Sequence, residues 1–269
     1  TLAGLGTEMG AELGHRAVLA ADPLLRGDLD LGVVGIVVLK VVVAFALLLV
    51  SVMLMIWFER KLVADMHNRI GPAVAGPFGI LQTLADGIKL FFKEDLIPDR
   101  SDRAVFKLAP YLSLVPAFLV FAIVPIGGDF SSGDGTVTWF GERTYLQVAD
   151  PPVGVLFFLA LSSIAVYGVM LAGWSSGSKY PLLGSVRASA QMISYEAALG
   201  LAIATVFLTS GSLSTHDIVA TQVSGNWNVL ATGVVPFLVF LVAGTAELNR
   251  PPFDLVEAEQ ELVDCFHTE

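Results

Sequence analysis

The sequence predicts an all-α integral membrane protein with about five transmembrane helices, an interfacial amphipathic helix and an acidic cytoplasmic loop. Three observations carry that prediction. The 269 residues are 55% hydrophobic and 15% charged, with mean hydropathy +0.73, whereas soluble domains carry roughly 25% charged residues. Five apolar runs reach the roughly 20 residues that a bilayer core requires. Basic residues gather in alternate connections between those runs, as the positive-inside rule requires of cytoplasmic ones.

Composition also excludes several function classes. Twenty-five acids against 15 bases give a net charge of -10, which argues against a nucleic-acid partner, because phosphate binding needs clustered Lys and Arg. The single cysteine, Cys265, rules out a disulfide framework and a cysteine-ligated cluster. The four histidines are scattered, so no metal site and no catalytic residue is assigned. The chain starts without Met and stops within a polar segment, and it reads as a fragment.

In chain order, residues 1–30 form an outside polar lead with Arg16 and Arg26, lacking the charged-then-apolar order of a signal peptide. Residues 31–58 form the first span, whose one charge is Lys40; that lysine is either a counter-ion or snorkels. Residues 59–107 form an inside loop holding Arg60, Lys61, Arg69, Lys89, Lys93, Arg100, Arg103 and Lys107. The second to fifth spans occupy 108–126, 153–172, 188–208 and 229–246, within a 108–246 segment, and 247–269 form the acidic inside loop. The outer connections are poor in bases, Arg143 being the only one in 127–152, so the N-terminus lies outside.

Within the first inside loop, Phe78–Lys93 has the period of an amphipathic helix. Phe78, Leu81, Leu84, Ala85, Ile88, Phe91 and Phe92 share one arc, and Gln82, Asp86, Lys89 and Lys93 another, as a helix lying in the membrane interface requires. Two readings fit this pattern. One is a surface anchor with solvated charges. The other is a polar stripe that, with Glu59, Arg60 and Arg69, faces a pocket for an amphiphile, Asp86 and Lys89 pairing at i, i+3 to hold donors for its headgroup.

Glu196 lies roughly 12 Å inside the fourth span at 1.5 Å per residue. A buried ionisable group is expensive there and marks a functional position by default, the ordinary alternative being a protonated acid bonded to a neighbouring helix. Glu247 closes the fifth span, and the Asn249-Arg250-Pro251-Pro252 break follows it. Asp254 can then cap a further helix on which Asp254, Glu257 and Glu261 share a face, with Glu259 opposite. Either this is a solvated acidic face, or close carboxylates with coupled proton affinities extend a proton path from the spans.

These residues resemble a known family: the H-type membrane protein, or mitochondrial subunit 1, of NADH:quinone oxidoreductase, respiratory complex I. Glu59-Arg60-Lys61, Arg69-Ile70-Gly71-Pro72, Gly76-Pro77-Phe78-Gly79, Leu84-Ala85-Asp86-Gly87 and Lys93-Glu94-Asp95 are similar to its first inside loop. Gly173-Trp174-Ser175-Ser176, Lys179-Tyr180, Leu183-Gly184, Arg187, Gln191 and Ile193-Ser194-Tyr195-Glu196 are similar to the second. Ala246 to Leu255, then Glu257-Ala258-Glu259 and Glu261-Leu262-Val263, are similar to the third. Leu248, Val256 and Asp264-Cys265 depart from the family pattern, and bear on that loop's local packing. The family has about eight spans of roughly 20 residues, which puts three beyond Glu269.

The resemblance implies a subunit of a proton-translocating NADH:quinone oxidoreductase that holds no redox centre. Quinone is the substrate, and FMN and iron–sulfur clusters sit in partner subunits of the membrane and hydrophilic arms. It assigns Glu59, Arg60, Arg69, Asp86 and Lys89 to the quinone chamber. It assigns Glu196, Glu247, Glu257, Glu259, Glu261 and Glu269 to the proton path, with Arg250 as a loop hinge. The implied location is a bacterial plasma membrane or mitochondrial inner membrane, among lipid. A homologous subunit of a membrane-bound hydrogenase is the second reading. A secondary transporter also has midplane acids, but needs neither the amphipathic loop nor the acidic segment, and a plain membrane anchor needs neither Glu196 nor the acid run.

Overall fold

The computed structural model describes residues 22–26, 30–94, 97–130, 135–225 and 227–254. Helix follows wherever the sequence is continuously apolar, because a backbone in lipid must satisfy its own polar groups. In chain order the helices are α1 (Leu31–Met66), α2 (Gln82–Phe91), α3 (Arg103–Phe121), α4 (Gly154–Ser175), α5 (Lys179–Ser210), α6 (Thr215–Ser224), α7 (Asn228–Ala231) and α8 (Val234–Glu247). A short antiparallel hairpin, β1 (Thr136–Trp139) with β2 (Glu142–Tyr145), stands between α3 and α4.

Four of these helices, α1, α3, α4 and α5, are long and apolar enough to cross a membrane. The fifth apolar run is divided: α7 stops at Ala231, Gly233 takes φ 82°, and the 14-residue α8 begins at Val234. The long helices outrun the apolar stretches that announce them. α1 has 36 residues and α5 has 32, about 54 and 48 Å against a core of about 30 Å. Glu59, Arg60 and Lys61 therefore ride on α1, and Arg187 on α5, instead of lying in connections. The stretch from Phe78 is also not helical throughout. Pro77–Gly79 is a 3-10 turn with Phe78 at φ 56°, and the regular helix is confined to Gln82–Phe91.

The chain forms two units, Thr1–Val37 with Pro98–Glu269, and Val38–Ile97. In the first, α4 packs along α3 and α5, and α8 along α5. Small residues set how closely these backbones approach, as is usual between membrane helices. Ser113 Oγ of α3 donates to the Ala165 carbonyl of α4 at 3.3 Å, and Gly168 faces Ala109 and Ser113 so closely that a Cβ would stand 2.8 Å from the Ala109 oxygen. Gly173 does the same against Pro181 and Ser185 of α5. Asp102 caps α3, its Oδ1 accepting from the Ala104 amide at 3.2 Å, and its own amide donates to the Ser175 carbonyl at 3.0 Å.

The connections of this unit are tied by polar side chains. Gln147 Nε2 donates to the Ile123 carbonyl at 2.9 Å and to Thr215 Oγ1 at 2.8 Å. Ser214 caps α6 by accepting from the Asp217 amide, and donates to Asp150 Oδ1 at 2.8 Å. Thr144 of β2 donates to the buried Asp22 at 2.8 Å. Beside it Leu24, Val33 and Ile36 form an apolar cluster against Val37 and Trp139.

In the second unit, the chain after α1 turns back on itself. The Arg69 amide donates to the Ala64 carbonyl at 2.9 Å, and Gly79, at φ 78°, sits where a Cβ would lie 2.3 Å from the Pro72 oxygen. Only glycine fits there, since both the backbone angle and the space exclude a side chain.

Candidate functional site

Two groups of the expected residues are brought together by the fold, one in each unit. In the second unit, Arg60 near the end of α1 meets Asp86 on α2, Nη1 to Oδ2 at 2.6 Å. Gln82, one turn before Asp86 on α2, donates to its other oxygen at 3.0 Å. The Arg60 hydrogen bond first, then that of Gln82, hold the Asp86 carboxyl below its ordinary value, and the Lys89 charge adds a smaller pull. Asp86 is therefore ionised at neutral pH. Its ion pair is with Arg60, and not the expected i, i+3 pair with Lys89. The salt bridge reaches back 26 residues because the reversal at Pro72–Gly79 returns α2 to the flank of α1.

The pair is exposed, with 45% and 40% of the two side chains accessible, and so contributes little stability. What it does is fix a guanidinium on one side of α2. Trp57 Nε1 of α1 donates to the Phe78 carbonyl at 3.0 Å and fixes the same reversal. The apolar arc is open: Leu84 and Ile88 are each 51% exposed and Phe91 is 90% exposed. Glu59 is half-buried beside Arg60 along α1, while Arg69 and Lys89 are exposed. On α2 the ion-paired polar stripe of Gln82 and Asp86 with Arg60 thus lies beside an uncovered apolar face, a combination that suits an amphiphile with a polar head and a long apolar tail.

In the first unit, two acids converge on adjacent serines of α4. Glu196 stands near the middle of α5, and its Oε1 accepts a hydrogen bond from Ser163 Oγ. Glu247 is the last residue of α8, and its Oε1 accepts from Ser162 Oγ at 3.3 Å. Neighbouring residues on a helix point about 100° apart, so one turn of α4 serves α5 with one hydroxyl and α8 with the other. Glu247 Oε2 is shielded from solvent and makes no hydrogen bond among the described residues.

Gln191, five residues before Glu196 on α5, fastens the turn after α8. Its Nε2 lies 3.1 Å from Asn249 Oδ1 and 2.9 Å from the Phe253 carbonyl, which both accept from it. Asn249 is buried at φ 49°, and Tyr195 meets Phe253 edge to face at 5.3 Å. Arg250 is exposed in this turn; its amide donates to the Thr245 carbonyl at 3.3 Å, and its carbonyl accepts from the Phe253 amide at 2.8 Å. The remaining expected acids, Glu257, Glu259, Glu261 and Glu269, lie outside the described residues.

Sequence reasoning missed Ser162 and Ser163, and gave Gln191 no role. The signal for the serines was slight: two adjacent hydroxyls inside a span that is otherwise almost wholly apolar.

Residues 39–269 match the family model described as NADH dehydrogenase. Among curated proteins, the chain is 53% identical over 250 residues to the H subunit of the NADH-quinone oxidoreductase of Frankia casuarinae, covering 93% of this chain and 53% of the relative. It is 53% identical over 255 residues to the protein of the same name from Frankia alni, covering 94% and 54%. To that of Streptomyces avermitilis it is 49% identical over 234 residues, covering 87% and 50%. The chain spans about half the length of the curated relatives it matches.

Proposed function

The chain belongs to the NADH dehydrogenase family, and we propose that it works as the quinone-binding and proton-conducting membrane subunit of a respiratory NADH:quinone oxidoreductase. In this reading it lines the entry tunnel and chamber for quinone and begins the proton path that couples electron transfer to pumping. Electrons reach the quinone from NADH through FMN and iron–sulfur clusters held by partner subunits of the membrane and hydrophilic arms. The chain spans a lipid bilayer several times, with its N-terminus outside. The bacterial relatives favour a plasma membrane.

The observation that carries this reading is the convergence of Glu196 and Glu247 on Ser163 and Ser162. Two carboxylates on different apolar helices, held by hydroxyls of a third, are costly, and such costly groups mark ion or proton pathways. Neighbouring acids also titrate as a unit, so a charge change at one alters the proton affinity of the next. Quinone reduction takes up protons and changes the local charge, and clustered acids respond to that change. The chamber assignment of Glu59, Arg60, Arg69, Asp86 and Lys89 is supported by the ion-paired polar stripe beside an open apolar face. The proton path continues through Glu257, Glu259, Glu261 and Glu269, with Arg250 as the hinge. The segment 1–30 is the outer lead, 59–107 the chamber-forming inside segment, and 247–269 the acidic inside segment.

The test is Glu196→Gln in the intact complex, reconstituted in sealed vesicles, with NADH:quinone turnover and proton uptake measured together. Coupled turnover is expected to fall by about tenfold or more. Wild-type turnover and wild-type pumping in this variant would remove Glu196 from the path.

A further inference from the structure

Ser163 carries one hydroxyl proton but faces two groups that can accept it. One is Glu196 Oε1 on α5. The other is the Leu159 carbonyl of its own helix, 3.1 Å away, the back-bond that serines commonly make to the preceding turn. A single O–H cannot serve both fully, so the bond to Glu196 depends on which group holds the proton. When Glu196 is ionised, Ser163 donates to it. When Glu196 is neutral, its own O–H donates to Ser163 Oγ, and the serine proton turns to Leu159.

We propose that Ser163 is a two-state relay that keeps Glu196 hydrogen-bonded in both of its protonation states. The inference rests on the reading that Glu196 exchanges protons. The step balances without breaking a serine bond: a proton added at Glu196 Oε1 forms the new O–H there, and the Ser163 hydroxyl only rotates about its C–O bond. The gain is kinetic and energetic. A half-buried carboxyl within an apolar helix that lost its partner on changing charge would incur part of the cost of an unsatisfied polar group each time. With the relay, neither state is orphaned. On α8 the titratable group that feels the Glu196 charge is Glu247, while α4 meets Glu196 with Ser163, which does not titrate.

The adjacent serine differs. Among the described residues the Ser162 hydroxyl has one hydrogen-bond partner, Glu247 Oε1 at 3.3 Å. Ser162 thus positions one acid, whereas Ser163 can follow the charge of the other. Serine hydroxyls at these two positions are not interchangeable, although they are neighbours in sequence.

The experiment uses the intact complex in its membrane, with Ser163→Ala, Ser163→Thr and Glu196→Gln compared. Redox-induced infrared difference spectra report the carbonyl stretch of a neutral carboxyl, and Glu196→Gln identifies the band by removing it. In Ser163→Ala that band is expected to move to higher wavenumber, because the acid has lost its acceptor, and coupled turnover is expected to fall about tenfold, as loss of one such hydrogen bond implies. Ser163→Thr, which keeps the hydroxyl, restores both. Co-purification of the variant chain with its partner subunits confirms that each complex is assembled. A Ser163→Ala complex with an unmoved band and wild-type turnover, or a wild-type complex with no Glu196-dependent band, overturns the relay. If Glu196→Gln itself pumps normally, the proton-path reading falls instead.

Discussion

Gly173→Ala adds one methyl group where α4 and α5 are nearest. The new Cβ would stand 2.3 Å from the Pro181 carbonyl oxygen, 2.3 Å from Ser185 Oγ and 2.4 Å from Ser185 Cβ. Ordinary contact begins near about 3.5 Å, so the helices must part by about an ångström. Rotating Ser185 gives no relief: the Pro181 oxygen is backbone, and Ser185 is fully buried with its hydroxyl donated to Leu182 at 2.9 Å. Overpacking of this kind costs about 1–3 kcal/mol, a factor of about 5 to 150 in an equilibrium constant. Ser163 lies ten residues earlier on the same helix, about 15 Å along it, and its bond to Glu196 weakens steeply with separation. Gly173→Ala is therefore expected to lower both the thermal stability of the purified complex and its proton uptake per quinone reduced. Gly200→Ala is the control, since a Cβ at that position on α5 meets nothing within 4 Å. If Gly173→Ala melts and pumps like Gly200→Ala, the close-packing argument is wrong.

Two more outcomes rest on particular side chains. Gln191→Leu leaves the buried Asn249 and the Phe253 carbonyl without their donor, and is expected to cost about 1–3 kcal/mol, read as earlier thermal loss of the complex; an unchanged midpoint contradicts it. Asp150 has its carboxyl raised by burial, against the opposing hydrogen bonds from Ser214. A raised value means that its contribution to stability is complete below the ordinary carboxyl range and is lost as pH rises through the raised one. The stability of wild type relative to Asp150→Asn should accordingly decline across that interval, and parallel pH curves for the two would refute the assignment.

The spans were legible because hydropathy reads lipid exposure directly, and the long apolar runs 31–58 and 153–172 coincide with α1 and α4. Their ends were not, because a helix that leaves the bilayer keeps its hydrogen bonds while its residues turn polar. That is why α1 carries Glu59 and Arg60, and why α5 begins at Lys179. The hairpin at 136–145 had a readable signal, the alternation Thr-Val-Thr-Trp and Glu-Arg-Thr-Tyr about Phe140-Gly141, both at positive φ, a two-residue turn that suits a hairpin. Asp86 was legible as a polar-stripe residue, but its partner was not, since only the reversal at Gly79 brings it back to Arg60. Glu196 announced itself as an acid in an apolar run. Ser162 and Ser163 gained meaning only when α5 and α8 were found on either side of them.

The most direct test of the functional account is the intact membrane complex carrying Asp86→Asn together with Lys89→Ala. NADH:quinone turnover is measured beside NADH oxidation by an artificial acceptor that bypasses the quinone. Asp86→Asn removes the charge that holds the Arg60 guanidinium at 2.6 Å, and Lys89→Ala removes a neighbouring donor. Selective loss of the quinone reaction is expected, with the bypass reaction intact. Unchanged quinone reduction would mean that this edge of α2 is a solvated membrane anchor, and would contradict its place at the quinone chamber.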